Sequence, residues 1–187
     1  MRLLLHTCCA PCSTWSIEIL RKEYDITCFF YNPNIQPREE YDARVAEARR
    51  FSSIAGVGLI EGEYSVEEWE SRVKGHEDDP EGGQRCRICY RLRLEETSWR
   101  AGDEGFDVFS TTLTISPHKD SGVINDIGEK VGRAIGVPFL PLDLKKGDGF
   151  RKSVEMSRQH NLYRQDYCGC VYSRLQRVVD SSLSEKV

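Results

Sequence analysis

The sequence predicts an α/β fold, in which a mainly parallel β-sheet carries helices on both faces. Short apolar runs alternate with longer segments of helical periodicity, and this alternation is typical of strand–helix–strand units. A chain of 187 residues with 39% hydrophobic content can bury one core. We therefore expect a single domain over residues 1–187, with an α/β core at about 1–144 and a helical C-terminal segment at about 150–183.

The first half of the chain holds three predicted strands and three predicted helices. The strands lie at residues 2–6, 25–31 and 59–60, the helices at 11–22, 39–55 and 65–74, and a rigid loop at 32–37. Pro11 suits a first helical turn, and Gly56 ends a helix. Ser65 and Glu68 form a capping box that begins the third helix.

The second half continues the alternation after a polar loop at residues 75–84. It comprises a long helix at 85–100, a strand at 107–112, a helix at 121–135 that Gly136 closes, a fifth strand at 138–144, and helices on either side of 163–170. Ligands of parallel sheets bind beyond the carboxyl ends of the strands. The loops 7–11, 31–37 and 111–119 all follow strands, so we expect them to share the edge that carries the site.

Seven of the eight cysteines fall into three tight groups, at Cys8, Cys9 and Cys12, at Cys86 and Cys89, and at Cys168 and Cys170. Thiolates are preferred ligands of zinc, Cu(I) and iron–sulfur clusters. A disulfide framework is typical of small secreted domains, and this chain has neither their size nor a recognisable signal peptide. The grouping therefore predicts metal ligation.

The individual cysteines differ in their surroundings. Cys8 and Cys9 follow the first strand and precede a helix amino terminus, which favours the thiolate form. Neighbouring residues of an extended segment point to opposite faces, so this dipeptide could reach two centres. Cys12 either packs on the sheet or joins the ligands. Cys28 lies among strand formers and is predicted to be a core residue.

The number of grouped thiols exceeds the need of one metal centre. One tetrahedral metal or one 4Fe-4S cluster takes at most four cysteines, so two or three thiols remain for a second metal or for chemistry. Asp166 is the carboxylate nearest in sequence to the last pair, and it is either a ligand or a solvated loop residue. A four-cysteine zinc site made from the last two pairs is the structural alternative.

The charge pattern suggests where an anionic partner binds. The formal net charge is −4, which argues against binding of nucleic acid by global charge. Two local basic clusters adjoin the cysteines, one of Arg85, Arg87, Arg91, Arg93 and Arg100 and one of Lys145, Lys146, Arg151, Lys152, Arg158 and Arg164. Each is either a solvated helix face or a binding surface. The amino terminus is too short for a signal peptide or membrane span, so we expect a cytoplasmic protein with no membrane partner.

Five motifs in order along the chain resemble those of one known family. They are HTCCAPCS at 6–13, NPNI at 32–35 with Glu40 and Tyr41, RCRICY at 85–90 with Arg93 and Leu94, TTL at 111–113 with Ser116, Pro117, Lys119 and Asp120, and QDYCGC at 165–170. Together they resemble the epoxyqueuosine reductase QueH family. The family is similar in fold to PP-loop and adenine nucleotide alpha hydrolase-like (HUP) proteins.

The resemblance implies reduction of the epoxide of epoxyqueuosine, at the wobble position of tRNA, to queuosine, without cobalamin. It further implies a 4Fe-4S cluster beside a mononuclear iron that two cysteines and an aspartate hold. Cys8, Cys9, Cys86, Cys89, Cys168 and Cys170 are the ligands that it implies, not divided between the two centres. Epoxyqueuosine-containing tRNA and an unidentified electron donor are the implied partners.

Chemistry adds candidates around these ligands. Removing an epoxide oxygen as water takes two electrons and two protons, and a neighbouring iron can relay an electron and act as a Lewis acid. Asp120, His118 and Tyr90 are candidate proton donors. The candidate substrate-binding residues are Arg85, Arg87, Arg91, Lys119, Arg164, Tyr31, Asn32 and Tyr167, since cations hold phosphates and tyrosines stack bases.

Two other functions compete with this interpretation. A cluster-dependent, tRNA-thiolating PP-loop enzyme would need a Ser-Gly-Gly-x-Asp-Ser loop for ATP, and the sequence has none. A zinc-stabilised RNA-binding protein would need only four of the thiols and no redox activity. The colour of anaerobically purified protein distinguishes the zinc-binding alternative, because clusters are brown and bound zinc is colourless.

Overall fold

The computed structural model describes the backbone of residues 1–184 and the side chains of residues 1–178. The strands are β1 (Arg2–His6), β2 (Asp25–Phe30), β3 (Gly58–Glu61) and β4 (Val108–Thr111). The helices are α1 (Ala10–Leu20), α2 (Arg38–Ala55), α3 (Val66–Val73), α4 (Gln84–Asp103), α5 (Ser121–Ile135), α6 (Gly149–Gln159) and α7 (Val171–Ser184). Within this described part, no helix is long and apolar enough to cross a membrane.

The four strands form one parallel sheet in the order β3-β2-β1-β4, so the predicted fold class is confirmed. β1 lies inside the sheet, where Leu4 is in register with Thr27 of β2 and Phe109 of β4. Successive residues of β1 face opposite sides: Leu4 packs with α4 and α5, whereas Leu3 and Leu5 pack with α1. Helices therefore cover both faces, as parallel strands require.

The helix ends follow the local signals. Gly56 and Gly136 adopt positive φ values of 66° and 88° behind α2 and α5, a conformation that glycine enters without a steric penalty. The Ser65 hydroxyl accepts a hydrogen bond from the Glu68 amide at 3.3 Å and caps α3. Cys28 is buried with 1% exposure, which confirms it as a core residue.

The predicted fifth strand at residues 138–144 is wrong. Only an isolated bridge joins Phe139 to Phe109, through hydrogen bonds from the Leu140 amide to the Phe109 carbonyl and from the Phe109 amide to the Pro138 carbonyl. Pro138 and Pro141 have no amide hydrogen, so the ladder cannot continue in either direction. The segment instead runs on beside α5, where the Asn125 side chain bonds the backbone of Leu142.

The loops after β1, β2 and β4 meet at the carboxyl edge of the sheet, as predicted. The Asn32 amide nitrogen donates to the Thr7 carbonyl at 2.9 Å, and His6 Nδ1 lies 2.9 Å from Thr111 Oγ1. His6 is fully buried, and burial lowers the pKa of its imidazole to about 4. The edge that holds the candidate site is thus fixed by buried polar contacts between three loops.

Candidate metal centre

The first three cysteines converge at the junction of β1 and α1. The sulfurs of Cys8, Cys9 and Cys12 all lie within 4.8 Å of one another, and those of Cys8 and Cys9 are 3.8 Å apart. The chain bends at Cys8, and Cys9 is the N-cap residue of α1. The thiols of Cys8 and Cys9 therefore do not point to opposite faces. Cys12, in the first turn of α1, joins them. We refer to these three residues as the three-thiol group.

The other four grouped cysteines line one small cavity. Cys86 and Cys89 lie at the start of α4, and Cys168 and Cys170 lie in the segment that precedes α7. Gly169 between them has φ of +137°, and a Cβ there would lie 3.0 Å from the Ile35 side chain, so only glycine fits. All eight cysteines are free thiols. We refer to Cys86, Cys89, Cys168 and Cys170 as the four-thiol group.

Helix α2 holds the segment that carries the last cysteine pair. Nη1 and Nη2 of Arg44 donate to the carbonyl oxygens of Cys168 and Tyr167 at 3.0 and 3.2 Å. Nε of Arg44 contacts Glu40 at 2.7 Å, and the side chain of Arg44 is 2% exposed. Glu40 also accepts from the Tyr163 hydroxyl at 2.7 Å. This buried network sets the position of the backbone between Tyr163 and Cys168.

The contacts within the three-thiol group favour ionisation of one thiol, that of Cys8. Hydrogen bonds from the Cys12 and Cys9 thiols hold the pKa of Cys8 well below its ordinary value, despite burial. The same contact with Cys8 raises the pKa of Cys12, and burial adds to the rise. In the four-thiol group, burial raises the pKa of Cys89 to about 11. Thiols this deeply buried ionise when a metal replaces their protons.

Arg93 lies between the two groups. In the sequence it belongs to a basic cluster and to a family motif, but it was not among the candidate site residues. It is 1% exposed, lines the four-thiol cavity, and donates from Nη1 to the Asn32 side-chain oxygen at 3.2 Å and from Nε to the Cys89 carbonyl at 3.3 Å. Burial lowers its pKa, but the charges of Cys89, Cys168 and Cys8 outweigh burial and raise it. Arg93 follows Cys89 by four residues on α4, so both lie on one face of the helix, and this spacing could have indicated that Arg93 belongs to the site.

These residues fit a metal centre that carries negative charge. The donor set consists of free thiols, which soft metals prefer. The Nη2 atom of Arg93 is buried and has no hydrogen-bond partner among the described residues. A buried guanidinium nitrogen without a partner is costly, and a thiolate or sulfide beside it would satisfy it.

A larger cavity of about 620 Å³ opens beside the thiols. Its walls include Cys8, Cys12, Cys168 and Arg93, so it touches both groups. Lys119 also lines this cavity. Burial lowers the pKa of Lys119, but the charges of Cys168, Tyr90 and Cys8 outweigh burial, so its pKa is raised. The cavity thus combines thiols with one buried cation, Arg93, and one partly buried cation, Lys119.

The candidate catalytic residues are placed unequally around this cavity. His118 and Asp166 line it, and both are exposed. Tyr90 is buried and lines the smaller four-thiol cavity. Asp120 instead caps α5, where one carboxylate oxygen accepts from the amides of Gly122 and Val123 at 2.8 and 3.2 Å.

The candidate substrate-binding residues separate into two regions. Lys119, Arg164 and Tyr167 line the large cavity, whereas Tyr31 and Arg91 line a different groove between α3, α4 and α5. The remaining three, Arg85, Asn32 and Arg87, do not line the large cavity.

Arg85 is buried, and its Nη1 donates to the Glu77 carbonyl at 2.7 Å. Asn32 is buried between Thr7 and Arg93, and Arg87 is exposed. Arg85 and Asn32 therefore support the fold of the loops around the thiols.

Comparisons with known proteins agree with this geometry. A family model described as "Epoxyqueuosine reductase QueH" matches residues 3–176. An epoxyqueuosine reductase QueH of Streptococcus pyogenes serotype M1 is 44% identical over 184 residues, which cover 95% of this chain and 72% of that protein.

Two solved structures share the fold at 11% sequence identity. A predicted subunit of a tRNA methyltransferase from Methanocaldococcus jannaschii gives a TM-score of 0.55, over 84% of this chain and 76% of that one. The U34-tRNA thiolase NcsA from Methanococcus maripaludis, with its [4Fe-4S] cluster, gives 0.53, over 92% of this chain and 61% of that one. These likenesses show a fold similar to that of PP-loop proteins.

Proposed function

The chain belongs to the epoxyqueuosine reductase QueH family, and on that basis we propose that it converts epoxyqueuosine in tRNA to queuosine with electrons delivered at its grouped thiols. The observation that supports this most strongly is the presence of two adjacent groups of free thiols beside one open cavity. Such thiols stay reduced in the cytoplasm, where we place the reaction.

The four-thiol group is the proposed site of the 4Fe-4S cluster. It offers the four sulfurs that one cluster needs, from a Cys-x-x-Cys and a Cys-x-Cys that line a single cavity. The three-thiol group is the proposed site of the adjacent iron. There the position of Cys12 supports it as a third thiolate ligand, and Asp166 lines the same large cavity as a further oxygen donor.

When bound, these iron centres would supply electrons and Lewis acidity to the epoxide. The chain's own contribution begins with charge. The buried Arg93 and the partly buried Lys119 offset the negative charge of the thiolates, and Arg44 holds the Cys168 backbone. Without such partners, several buried thiolates would be strongly destabilising.

The large cavity is the proposed substrate site. Its volume of about 620 Å³ suits a single nucleoside with its substituents, and it lies within the range of small-molecule sites. A duplex or a stacked loop does not enter a space of this size, so the wobble base must leave the anticodon stack.

Removing the epoxide oxygen breaks two carbon–oxygen bonds, forms a carbon–carbon double bond, and releases one water after uptake of two electrons and two protons. Lys119 is the chain's proposed hydrogen-bond donor to that oxygen. Its ammonium faces the cavity beside Cys8 and Cys168 and makes no hydrogen bond within the described residues. A positioned cation stabilises negative charge that develops on a leaving oxygen.

The test is single-turnover reduction of epoxyqueuosine-containing tRNA by anaerobically prepared, iron-loaded protein with a chemical reductant. Nucleosides released from the tRNA are then measured by mass spectrometry. Conversion to queuosine supports the proposal. Protein that binds only zinc, lacks visible absorbance and leaves the epoxide intact would instead support the structural RNA-binding alternative.

A further inference from the structure

We propose that the tRNA backbone beside the extruded nucleoside binds a basic rim formed by Lys152 and Arg164 over the rings of Trp15 and Phe150, which we call the α6 rim. The inference rests on the proposed function, because it identifies the surface that holds the substrate of that same site. The partner is a single-stranded stretch of RNA, whose phosphates are read by cations and whose bases stack on aromatic rings.

The α6 rim adjoins the large cavity. Phe150 and Arg164 are among the residues that line this cavity. Lys152 and Trp15 lie next to them, since α6 packs along α1 and Trp15 follows Cys12 by three residues. A nucleoside bound in the cavity would therefore have its flanking phosphates beside these side chains.

The two cations of the α6 rim lie over aromatic rings. Lys152 Nζ lies 4.3 Å from the centre of the Trp15 ring, and the Arg164 guanidinium lies 5.9 Å from that of Phe150. Arg164 also donates to Ser157 Oγ at 3.2 Å. Among the described side chains, neither cation lies within ion-pair distance of a carboxylate, and Asp148, on which Lys152 acts from further away, is already paired with Arg151. Both charges are therefore available to phosphates.

The arginines at the start of α4 are less suited to this role. Arg91 pairs with Glu95 at 3.8 Å and lines the groove that also contains Glu68 and Glu96. That groove does not include any of the grouped cysteines. Glu68, Glu95 and Glu96 balance the three cations that also line this groove, Arg72, Arg91 and Lys130, so it carries no net positive charge. The α6 rim is therefore the better surface for RNA.

The experiment measures binding of a fluorescently labelled, unmodified anticodon stem-loop RNA to iron-loaded protein by anisotropy over a range of salt concentrations. The test variant is Lys152→Ala with Arg164→Ala. The control is Arg21→Ala with Lys22→Ala, which removes the same charge at the far end of α1. Iron content and circular dichroism establish that each variant is folded and loaded.

We expect the α6 rim variant to bind about tenfold more weakly and its log–log salt slope to fall by about 1.4, because each single-strand phosphate contact contributes about 0.7. The control should bind like the unchanged protein. Equal loss in the control, or a larger loss for Arg87→Ala with Arg91→Ala, would overturn the inference and leave the proposed function standing. Binding of the α6 rim variant like the unchanged protein would also overturn the inference, whereas the proposed function is decided separately by conversion of the epoxide.

Discussion

Nη1 of Arg44 donates a hydrogen bond to the carbonyl oxygen of Cys168 across 3.0 Å, so a buried side chain of α2 sets the backbone of the last cysteine pair. Arg44 is at the same time paired with Glu40 at 2.7 Å. A metal site made of segments far apart in sequence depends on such supports, because the ligands alone do not fix the chain between them.

Arg44→Met should lower the free energy of unfolding by about 3 kcal/mol, because it leaves Glu40 without its buried partner. It should also reduce iron retention, since the Cys168 carbonyl loses its donor. Urea unfolding of metal-free protein and iron analysis after reconstitution measure the two effects. The control is Arg38→Met, which removes an exposed α2 arginine paired with Asp42. Normal iron content in Arg44→Met would show that α2 does not support the site.

Serine substitutions should divide the thiols into their two centres, since a hydroxyl is a poor ligand for iron. A change in the four-thiol group should abolish the visible absorbance of the cluster. A change in the three-thiol group should leave that absorbance and remove about one iron per chain, with loss of turnover. Iron analysis with Mössbauer spectroscopy distinguishes these outcomes. Full iron content in Cys12→Ser would exclude Cys12 as a ligand.

Cys28→Ser serves as the core control for that series. Burial raises the pKa of Cys28 to about 11, and Thr7 and Ser52 are close enough to accept or donate a hydrogen bond. A serine hydroxyl would find partners there, so we expect a cost of only about 1 kcal/mol in unfolding free energy. Iron content and turnover should stay normal. Loss of iron in this variant would contradict its assignment to the core.

Arg93 should tune the potential of the cluster. Arg93→Met removes a buried positive charge, so reduction of the cluster becomes less favourable. The midpoint potential should fall by on the order of 100 mV, which is the effect of one charge a few ångströms away at an effective dielectric constant of about 20. Arg93→Lys keeps the charge and should shift it less. Redox titration followed by electron paramagnetic resonance measures the potential. An unchanged midpoint in Arg93→Met would mean that its charge does not act on the cluster.

Glu47 makes the position of the 163–168 segment sensitive to acid. Arg50 lowers the pKa of its carboxyl, and the Tyr163 amide adds to this with a hydrogen bond at 3.0 Å. A depressed folded pKa gives stability that is complete above the unfolded value of about 4.3 and is lost as pH falls through the folded value.

Urea midpoints of metal-free protein at about pH 6 and pH 3.5 should therefore differ less in Glu47→Gln than in the unchanged chain. Glu39→Gln, an exposed acid in the first turn of α2, is the control. Equal pH dependence in all three proteins would show that Glu47 does not stabilise this segment.

The sequence predicted the elements whose signals are local. Gly56, Gly136 and Ser65 mark helix ends by backbone conformation and capping, which neighbouring residues decide. The apolar pattern at residues 138–144 was misleading because two prolines prevent a ladder that the pattern favoured. Local signals therefore gave the right order of elements and one strand too many.

The site was predicted less completely than the fold. The spacing of the cysteines predicted that they bind metal. It did not decide whether Cys12 belongs to the ligands, because the position of Cys12 depends on where the chain bends after β1. Arg44 gave no signal in the sequence, and Arg93 was one member of a basic cluster. Burial of a cation follows from tertiary packing and not from its neighbours in sequence, so neither was predicted to be buried. Their roles became visible only when the segments around Cys89 and Cys168 were placed beside them.

The two halves of the four-thiol group are far apart along the chain, which fixes the order of events during synthesis. Cys168 and Cys170 emerge from the ribosome about 80 residues after Cys86 and Cys89, or about 4 to 16 s later at usual elongation rates. Until then the pair on α4 has no counterpart. Loading of the four-thiol group must therefore await translation of the last pair, and during that interval the two α4 thiols are open to oxidation.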